Sequence, residues 1–71
     1  MYQWEDLMEL RGLTIQEVVA WFVAHGVAIE DLEYDDIDEC IDVGGYWSDS
    51  HPVIEFEDGV VARWFRSENW D

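Results

Sequence analysis

The apolar residues of the N-terminal part recur at helical spacing. Within residues 2–10, Trp4, Leu7 and Met8 stand at i, i+3 and i+4, which predicts a short helix with one apolar side. Gly12 follows this pattern and is a typical helix stop. The chain is therefore predicted to begin with a short helix.

A second helix is predicted directly afterwards. Thr14 and Glu17 form a capping-box pattern, and His25 with Gly26 is a typical C-terminal stop. Its apolar stripe comprises Ile15, Val18, Val19 and Phe22, widened by Trp21 and Val23. This pattern predicts the most deeply buried element of the chain.

Residues 13–32 resemble a helix-turn-helix unit, with a helix, a glycine turn and a second short helical segment. The segment in the place of a recognition helix carries Glu30, Asp31 and Glu33 and no Lys or Arg. These carboxylates repel phosphate, so the sequence excludes DNA binding by this unit. The stretch is interpreted as an αα-hairpin.

The second half of the chain changes to strand-like alternation. In residues 36–43 one face is apolar and the other acidic, which predicts a strand. The apolar face comprises Ile37, Ile41 and Val43, and the acidic face Asp36, Asp38 and Asp42. Gly44 and Gly45 interrupt the strand, and Tyr46 and Trp47 resume it.

Residues 53–65 predict a hairpin with a three-residue loop, Glu57-Asp58-Gly59, in which Gly59 has positive φ. One face then holds Ile54, Phe56, Val60, Ala62 and Trp64, and the other Glu55, Val61, Arg63 and Phe65. A two-residue loop would place Arg63 on the face of Ile54 and Phe56, so it is disfavoured.

These elements predict one α+β domain over residues 1–71, with two or three short N-terminal helices packed on a three-stranded antiparallel sheet. Trp4, Trp21 and Trp64 are predicted to lie in its core. Half of the chain is hydrophobic (49%), which is enough to fold despite its charge.

The net charge narrows the choice of partners. The chain has 18 Asp and Glu against three Arg, for a formal charge of -15. Such a surface repels nucleic acid and anionic membranes and favours a basic protein partner. Solubility alone is usually reached with a net charge of about 2–8. A single Cys and the absence of a signal peptide or apolar span indicate a cytoplasmic protein, in the host cytosol if a phage encodes it.

The acids are concentrated in residues 30–42, EDLEYDDIDECID, where eight of thirteen residues are Asp or Glu. On a strand or a helix they would form a ladder with a spacing similar to that of a polynucleotide backbone. Exposed aromatic residues beside them would act as anchors. The residues predicted to contact the partner are Asp31, Glu33, Tyr34, Asp35, Asp36, Asp38, Glu39, Asp42, Trp47, Glu55, Glu57 and Asp58, with Tyr46 as a further aromatic candidate.

Catalytic and cofactor motifs are absent from the sequence. It contains no phosphate-binding loop, dinucleotide fingerprint or nucleophile elbow. Cys40 lies among acids that oppose thiolate formation, so it is interpreted as structural. The acids do not have EF-hand spacing, and His25, Cys40 and His51 lack zinc-site spacing. We expect no enzymatic activity, metal or cofactor.

In size, charge and lack of catalytic motifs, though not in sequence, the chain is similar to the small acidic inhibitors encoded by phages and mobile elements. These include anti-restriction and anti-CRISPR proteins and inhibitors of uracil-DNA glycosylase. The resemblance implies a DNA mimic that blocks the basic channel of a nucleic-acid enzyme or a CRISPR or restriction complex. The alternatives are an immunity or antitoxin protein that neutralises a basic toxin, or an acidic adaptor subunit. Both a monomer and a homodimer are compatible with the sequence.

Overall fold

The computed structural model describes residues 2–44 and 50–68. These ranges contain one α-helix, two 3₁₀ helices and four strands in one antiparallel sheet of order β1-β2-β3-β4. The 3₁₀ helices span Trp4–Leu10 and Ile29–Asp31, α1 spans Ile15–Ala24, and the strands are β1 Leu32–Asp35, β2 Cys40–Val43, β3 Ser50–Glu57 and β4 Val60–Glu68. The α+β class is confirmed, but the predicted strand count of three is wrong.

The first helix is 3₁₀ rather than α-helical, and this changes which side chains it buries. A 3₁₀ helix has about three residues per turn, so residues at i and i+3 align. Leu7 and Leu10 are accordingly buried, whereas Met8 is 70% exposed and Trp4 is 38% exposed. The 3₁₀ alignment therefore removes Met8 from the predicted apolar side. Trp4 stays aligned with Leu7 and Leu10 but is not buried with them.

The predicted capping box of α1 is confirmed. The Glu17 amide donates to Thr14 Oγ1 at 3.3 Å, and the Thr14 amide donates to Glu17 Oε1 at 2.9 Å. The helix ends at Ala24, and Gly26 follows with a φ of 93°. Val18 and Phe22 are fully buried. This helix is therefore fixed at its start by its own side chains and along its length by the core.

The predicted αα-hairpin is wrong. After Gly26 the chain forms only the single 3₁₀ turn Ile29–Asp31 and then enters β1 at Leu32. The amide of Gly44, at the end of β2, donates to the carbonyl of Asp31 at 3.0 Å. Residues that would have continued a second helix are therefore paired with β2 in the sheet.

The acidic segment predicted as one strand is a hairpin, which accounts for the fourth strand. Its turn occupies residues 36–39, where Ile37 is 87% exposed. Asp35 Oδ1 accepts hydrogen bonds from the amides of Ile37 and Asp38 at 2.9 and 3.2 Å, a local bond that stabilises turns. Glu39 completes the turn with a φ of 51°.

The β3–β4 hairpin is confirmed, but its three-residue loop is wrong. Glu57 pairs with Val60, which leaves the two-residue loop Asp58-Gly59 with φ values of 56° and 84°. Between the pairs Phe56–Val61 and Glu55–Arg63, β4 has one extra residue, Ala62. This bulge places both Val61 and Trp64 on the face of Ile54 and Phe56.

The core lies between the helices and one face of the sheet. Its buried residues are Leu7, Leu10, Val18, Phe22, Ile41, Val43, Ile54, Phe56 and Val61, with Trp21 and Trp64 partly buried against them. Leu13 and Thr14 cover the free edge of β4, because the Val61 amide donates to the Leu13 carbonyl at 2.9 Å and Thr14 bridges Val60. The prediction that three Trp are core residues holds in part for Trp21 and Trp64 and fails for Trp4.

Candidate functional site

The face of the sheet turned away from the helices carries polar side chains in two registered rows. We call it the open face. Strand pairing places Asp35, Cys40, Glu55 and Arg63 in the first row and Glu33, Asp42, Val53 and Phe65 in the second. Each row contains one residue from each strand. The acids of the first row are at β1 and β3, those of the second row are at β1 and β2, and Arg63 or Phe65 is at β4. The face is therefore negative at one side and mixed in character at the other.

Strand alternation separates these side chains from the core. In β2, Ile41 and Val43 face the helices, so Cys40 and Asp42, which alternate with them, face the other way. Tyr34 pairs with Ile41 and therefore lies on the helix side of the sheet, where it is 46% exposed. Tyr34 is thus on the opposite face from Glu33, but both residues border one open cavity of about 540 Å³ that Asp35, Asp36 and Asp42 also line.

The carboxylates of the open face are close neighbours. Glu33 stands directly opposite Asp42 in the pairing of β1 with β2, an arrangement of like charges that is unfavourable. Adjacent strands lie about 4.8 Å apart and alternate residues of a strand about 6.6 Å apart. Asp42 is diagonal to both Asp35 and Glu55 in the strand register. The folded chain therefore holds four repelling carboxylates together.

More acids collect at one end of the sheet. The β1–β2 turn and the β3–β4 turn both lie there, because Asp35 and Glu55 flank Cys40 at the start of β2. The amide of Phe56 donates to the carbonyl of Glu39 at 2.8 Å and connects the two hairpins. This acidic end comprises Asp36, Asp38, Glu39, Glu57 and Asp58, all exposed.

Cys40 lies among the open-face acids and is 8% exposed. Burial raises the pKa of its thiol, and the negative charges of Asp42, Asp35, Asp38 and Glu55 raise that pKa further. The thiol is therefore protonated at neutral pH and is a poor nucleophile. A shallow groove of about 380 Å³ crosses the face above Cys40 and Val53.

The three Arg of the chain are already engaged within it. The Arg11 guanidinium lies 5.1 Å from the centroid of the Trp64 ring, and that of Arg66 lies 4.7 Å from the Trp4 ring. Arg63 Nε donates to Glu55 Oε1, the one salt bridge in the part of the chain that the structure describes. Most carboxylates of the described residues therefore have no cation beside them.

The structure brings most of the predicted site residues into one zone. Glu33, Asp35, Asp42 and Glu55 lie on the open face, and Asp36, Asp38, Glu39, Glu57 and Asp58 form the acidic end. Asp31 is half-buried at the end of the second 3₁₀ helix, outside this zone. Trp47 and Tyr46 lie outside the described residues. The predicted row of Asp36, Asp38 and Asp42 along one strand is wrong, because the first two belong to the turn.

Sequence reasoning did not include Cys40, Val53, Arg63 and Phe65 among the site residues. The signal for two of them was present, since alternation along the hairpin already places Arg63 and Phe65 on the face of Glu55. Phe65 is 43% exposed, whereas its partner Val53 is 6% exposed. The open face therefore contains an apolar strip beside its acids.

No family model, curated protein or solved structure matches this chain. Within residues 2–44 and 50–68, no cluster of three or more His, Cys, Asp or Glu side chains is arranged to hold a metal ion. None of the helices in those ranges has the length and apolar character that a membrane crossing requires.

Proposed function

We propose that this protein is a small acidic inhibitor that occupies the basic nucleic-acid-binding channel of an enzyme or defence complex, in the manner of an anti-CRISPR, anti-restriction or glycosylase-inhibitor protein. The observation that supports this most is one continuous zone of carboxylates on the open face and the acidic end. It is assembled from β1, β2, β3 and both turns. The zone would act in the cytosol of the host cell as a nucleic-acid mimic without enzymatic activity.

The density of charge suits this role. Neighbouring acids lie about 5–7 Å apart across and along the strands, and each strand of duplex DNA carries one phosphate per about 3.4 Å of axis. A channel lined with Lys and Arg would therefore meet a charge density of the same order. Binding would release counterions from the partner and would weaken steeply as salt is added.

The folded scaffold should also bind a partner more tightly than a flexible acidic tail of equal charge would. Glu33, Asp35, Asp42 and Glu55 are carried by paired strands whose other face packs into the core. Their backbone is ordered before the partner arrives, so little ordering entropy is lost on association. The free energy that holds the like charges together comes from folding of the core, and a cationic partner relieves their repulsion.

The exposed ring of Phe65 favours a second candidate function. Phe65 is 43% exposed at the side of the acidic zone, and aromatic residues of this kind are frequent anchors in specific protein interfaces. An immunity or antitoxin-type protein would combine such an anchor with acids against one basic toxin. This candidate requires a single folded partner and no mimicry of nucleic acid.

The test is capture of the partner followed by competition. Immobilised protein is incubated with a lysate of the organism that carries the gene, or of its host if a phage carries it. Duplex DNA or RNA is then added at saturating concentration. Mimicry predicts that a nucleic-acid-binding protein is captured and then released by nucleic acid. A partner that stays bound under saturation would show that the two do not share a site, and a toxin as that partner would support the second candidate.

A matched pair of variants assigns the surface. Glu33→Gln/Asp42→Asn removes two charges from the open face, and Glu5→Gln/Glu30→Gln removes two exposed charges elsewhere. The first pair is expected to weaken capture by about tenfold or more, because each charge-assisted contact contributes about 1 kcal/mol or more. If both double variants weakened capture of the partner equally, binding would depend on the net charge of the protein and not on the open face.

A further inference from the structure

The open face combines carboxylates with apolar surface in a way that a plain polyanion does not. In its second row, Glu33 and Asp42 are followed by Val53 and then by the half-exposed ring of Phe65. Strands lie about 4.8 Å apart, so Asp42 and Phe65 stand about 10 Å apart with Val53 between them. A flat cation lying over Val53 would therefore be about 5 Å from both the Asp42 and the Phe65 positions.

Arg63 shows how one guanidinium already sits on this face. Its Nε donates to Glu55 Oε1 across the β3–β4 pair, and its side chain remains 68% exposed. Asp35 and Asp42 lie diagonal to each other around Cys40 on the neighbouring strands and form no salt bridge with any described residue. One end of the groove thus holds a cation of this chain, and the other end lacks one.

We propose that this groove docks an arginine side chain of a basic partner protein, with its guanidinium over Val53, between the carboxylate of Asp42 and the ring of Phe65. This inference rests on the proposed function, since it specifies which cation of the partner the acidic zone selects. Charge complementarity identifies a cation, and the apolar strip selects arginine among cations. A guanidinium is planar, weakly hydrated and able to pair with two oxygens and stack on a ring, whereas an ammonium is compact and strongly hydrated.

The probes are hexa-arginine and hexa-lysine peptides, which carry equal charge, titrated into the full chain at low salt by isothermal calorimetry. Hexa-arginine is expected to bind about two- to fivefold more tightly, the range that an exposed cation–π contact provides. Phe65→Ala and Phe65→Leu should bring the two affinities together by weakening the arginine peptide alone. Circular dichroism verifies that both variants fold, and Phe65→Leu keeps an apolar cover over Val53.

The control is Glu30→Gln, which removes one exposed charge outside the groove and should lower both affinities equally. Equal affinities of the two peptides for the unaltered protein would overturn the proposal. So would a Phe65 variant that folds and still prefers arginine. Neither result bears on nucleic-acid mimicry, because competition between DNA and this protein for a partner does not require a preference for arginine.

Discussion

The two faces of the sheet are made by the same four strands and have opposite compositions. On the helix side, Ile41, Ile54 and Phe56 pack against Phe22, and no buried polar or charged residue occurs among the described residues. On the open face, the residues alternating with these are mostly acids. A chain with a charge of -15 can therefore fold, because β1, β2 and β3 contribute one side to the core and leave their carboxylates on the other.

The two faces of the sheet are also expected to have separate roles, the core face in stability and the open face in binding. The free energy of unfolding of such a domain is about 0.05–0.15 kcal/mol per residue. The stabilisation from the core face can therefore offset only limited charge repulsion on the open face. Substitutions on the core face should therefore unfold the protein, and those on the open face should leave it folded or stabilise it.

The sharpest contrast in stability is expected between two phenylalanine residues, one in the core and one on the open face. Phe22 is fully buried and Phe65 is 43% exposed. Phe22→Ala is expected to cost about 3–5 kcal/mol, because it leaves a cavity in the core, whereas Phe65→Ala should cost about 1 kcal/mol or less. Urea unfolding followed by tryptophan fluorescence measures both. Similar losses for the two variants would show that the open face is also part of the core.

The thiol of Cys40 reports whether the acids stay assembled around it. Its pKa is raised in the folded state, first by burial and then by its carboxylate neighbours, so the folded protein keeps a proton that the unfolded chain loses above about pH 8.5. Stability is unaffected by this group below that pH and decreases as the pH rises through the folded value.

The corresponding measurement is the rate of iodoacetamide modification as a function of pH. Each unit by which the pKa is raised slows the reaction at neutral pH by about tenfold relative to the chain in urea. Asp42→Asn should shift the pH dependence of the native protein to lower pH by removing one of the charges. A profile that matches the unfolded chain would mean that Cys40 is neither buried nor surrounded by acids.

The β1–β2 turn is predicted to contain strain that a single substitution removes. Glu39 has a φ of 51°, a conformation that costs about 1 kcal/mol for a residue with a side chain and nothing for glycine. Glu39→Gly should therefore stabilise the protein by up to about 1 kcal/mol. Asp36→Gly loses the same charge at a neighbouring turn position without positive φ, and it should be neutral or destabilising. A thermal melt in which both variants shift alike would assign the effect to charge.

The smallest effect concerns the directly opposed acids. Glu33→Gln/Asp42→Asn is expected to stabilise the fold by about 0.5 kcal/mol at low ionic strength, since like charges stand opposite each other in the β1–β2 pair. The gain should disappear near 1 M salt, where the screening length is about 3 Å. Thermal melts at both salt concentrations measure it, with Glu5→Gln/Glu30→Gln as the pair that changes the same charge elsewhere.

Local signals in the sequence were sufficient for part of the fold. The capping box of Thr14 and Glu17 and the existence of the β3–β4 hairpin depend on neighbouring residues, and both were predicted correctly. Ile37 fits a strand pattern but occurs in a turn, because the side chain of Asp35 caps that turn. The bulge at Ala62 could not be predicted from local pattern. It lets both Val61 and Trp64 face the core, whereas a regular strand would place these two residues on opposite faces.

The composition of the site was easier to predict than its arrangement. The acids of residues 30–42 are evident in the sequence, but they are distributed across a 3₁₀ helix, two strands and a turn instead of along one ladder. Glu55 and Glu57 join them only because β3 pairs with β2, a long-range choice that no local pattern specifies. Tyr34 was predicted as an anchor from its position among the acids, and its alternation with Glu33 and Asp35 within β1 places it on the other face of the sheet.

Inhibition kinetics with the purified partner enzyme test whether the acidic zone occupies the nucleic-acid channel. The enzyme's inhibition constant for this protein is determined at increasing concentrations of the nucleic-acid substrate. If the acidic zone occupies the nucleic-acid channel, the apparent inhibition constant rises linearly with substrate, and Glu33→Gln/Asp42→Asn raises it further at every concentration. An inhibition constant that stays constant as substrate saturates the enzyme would contradict the account.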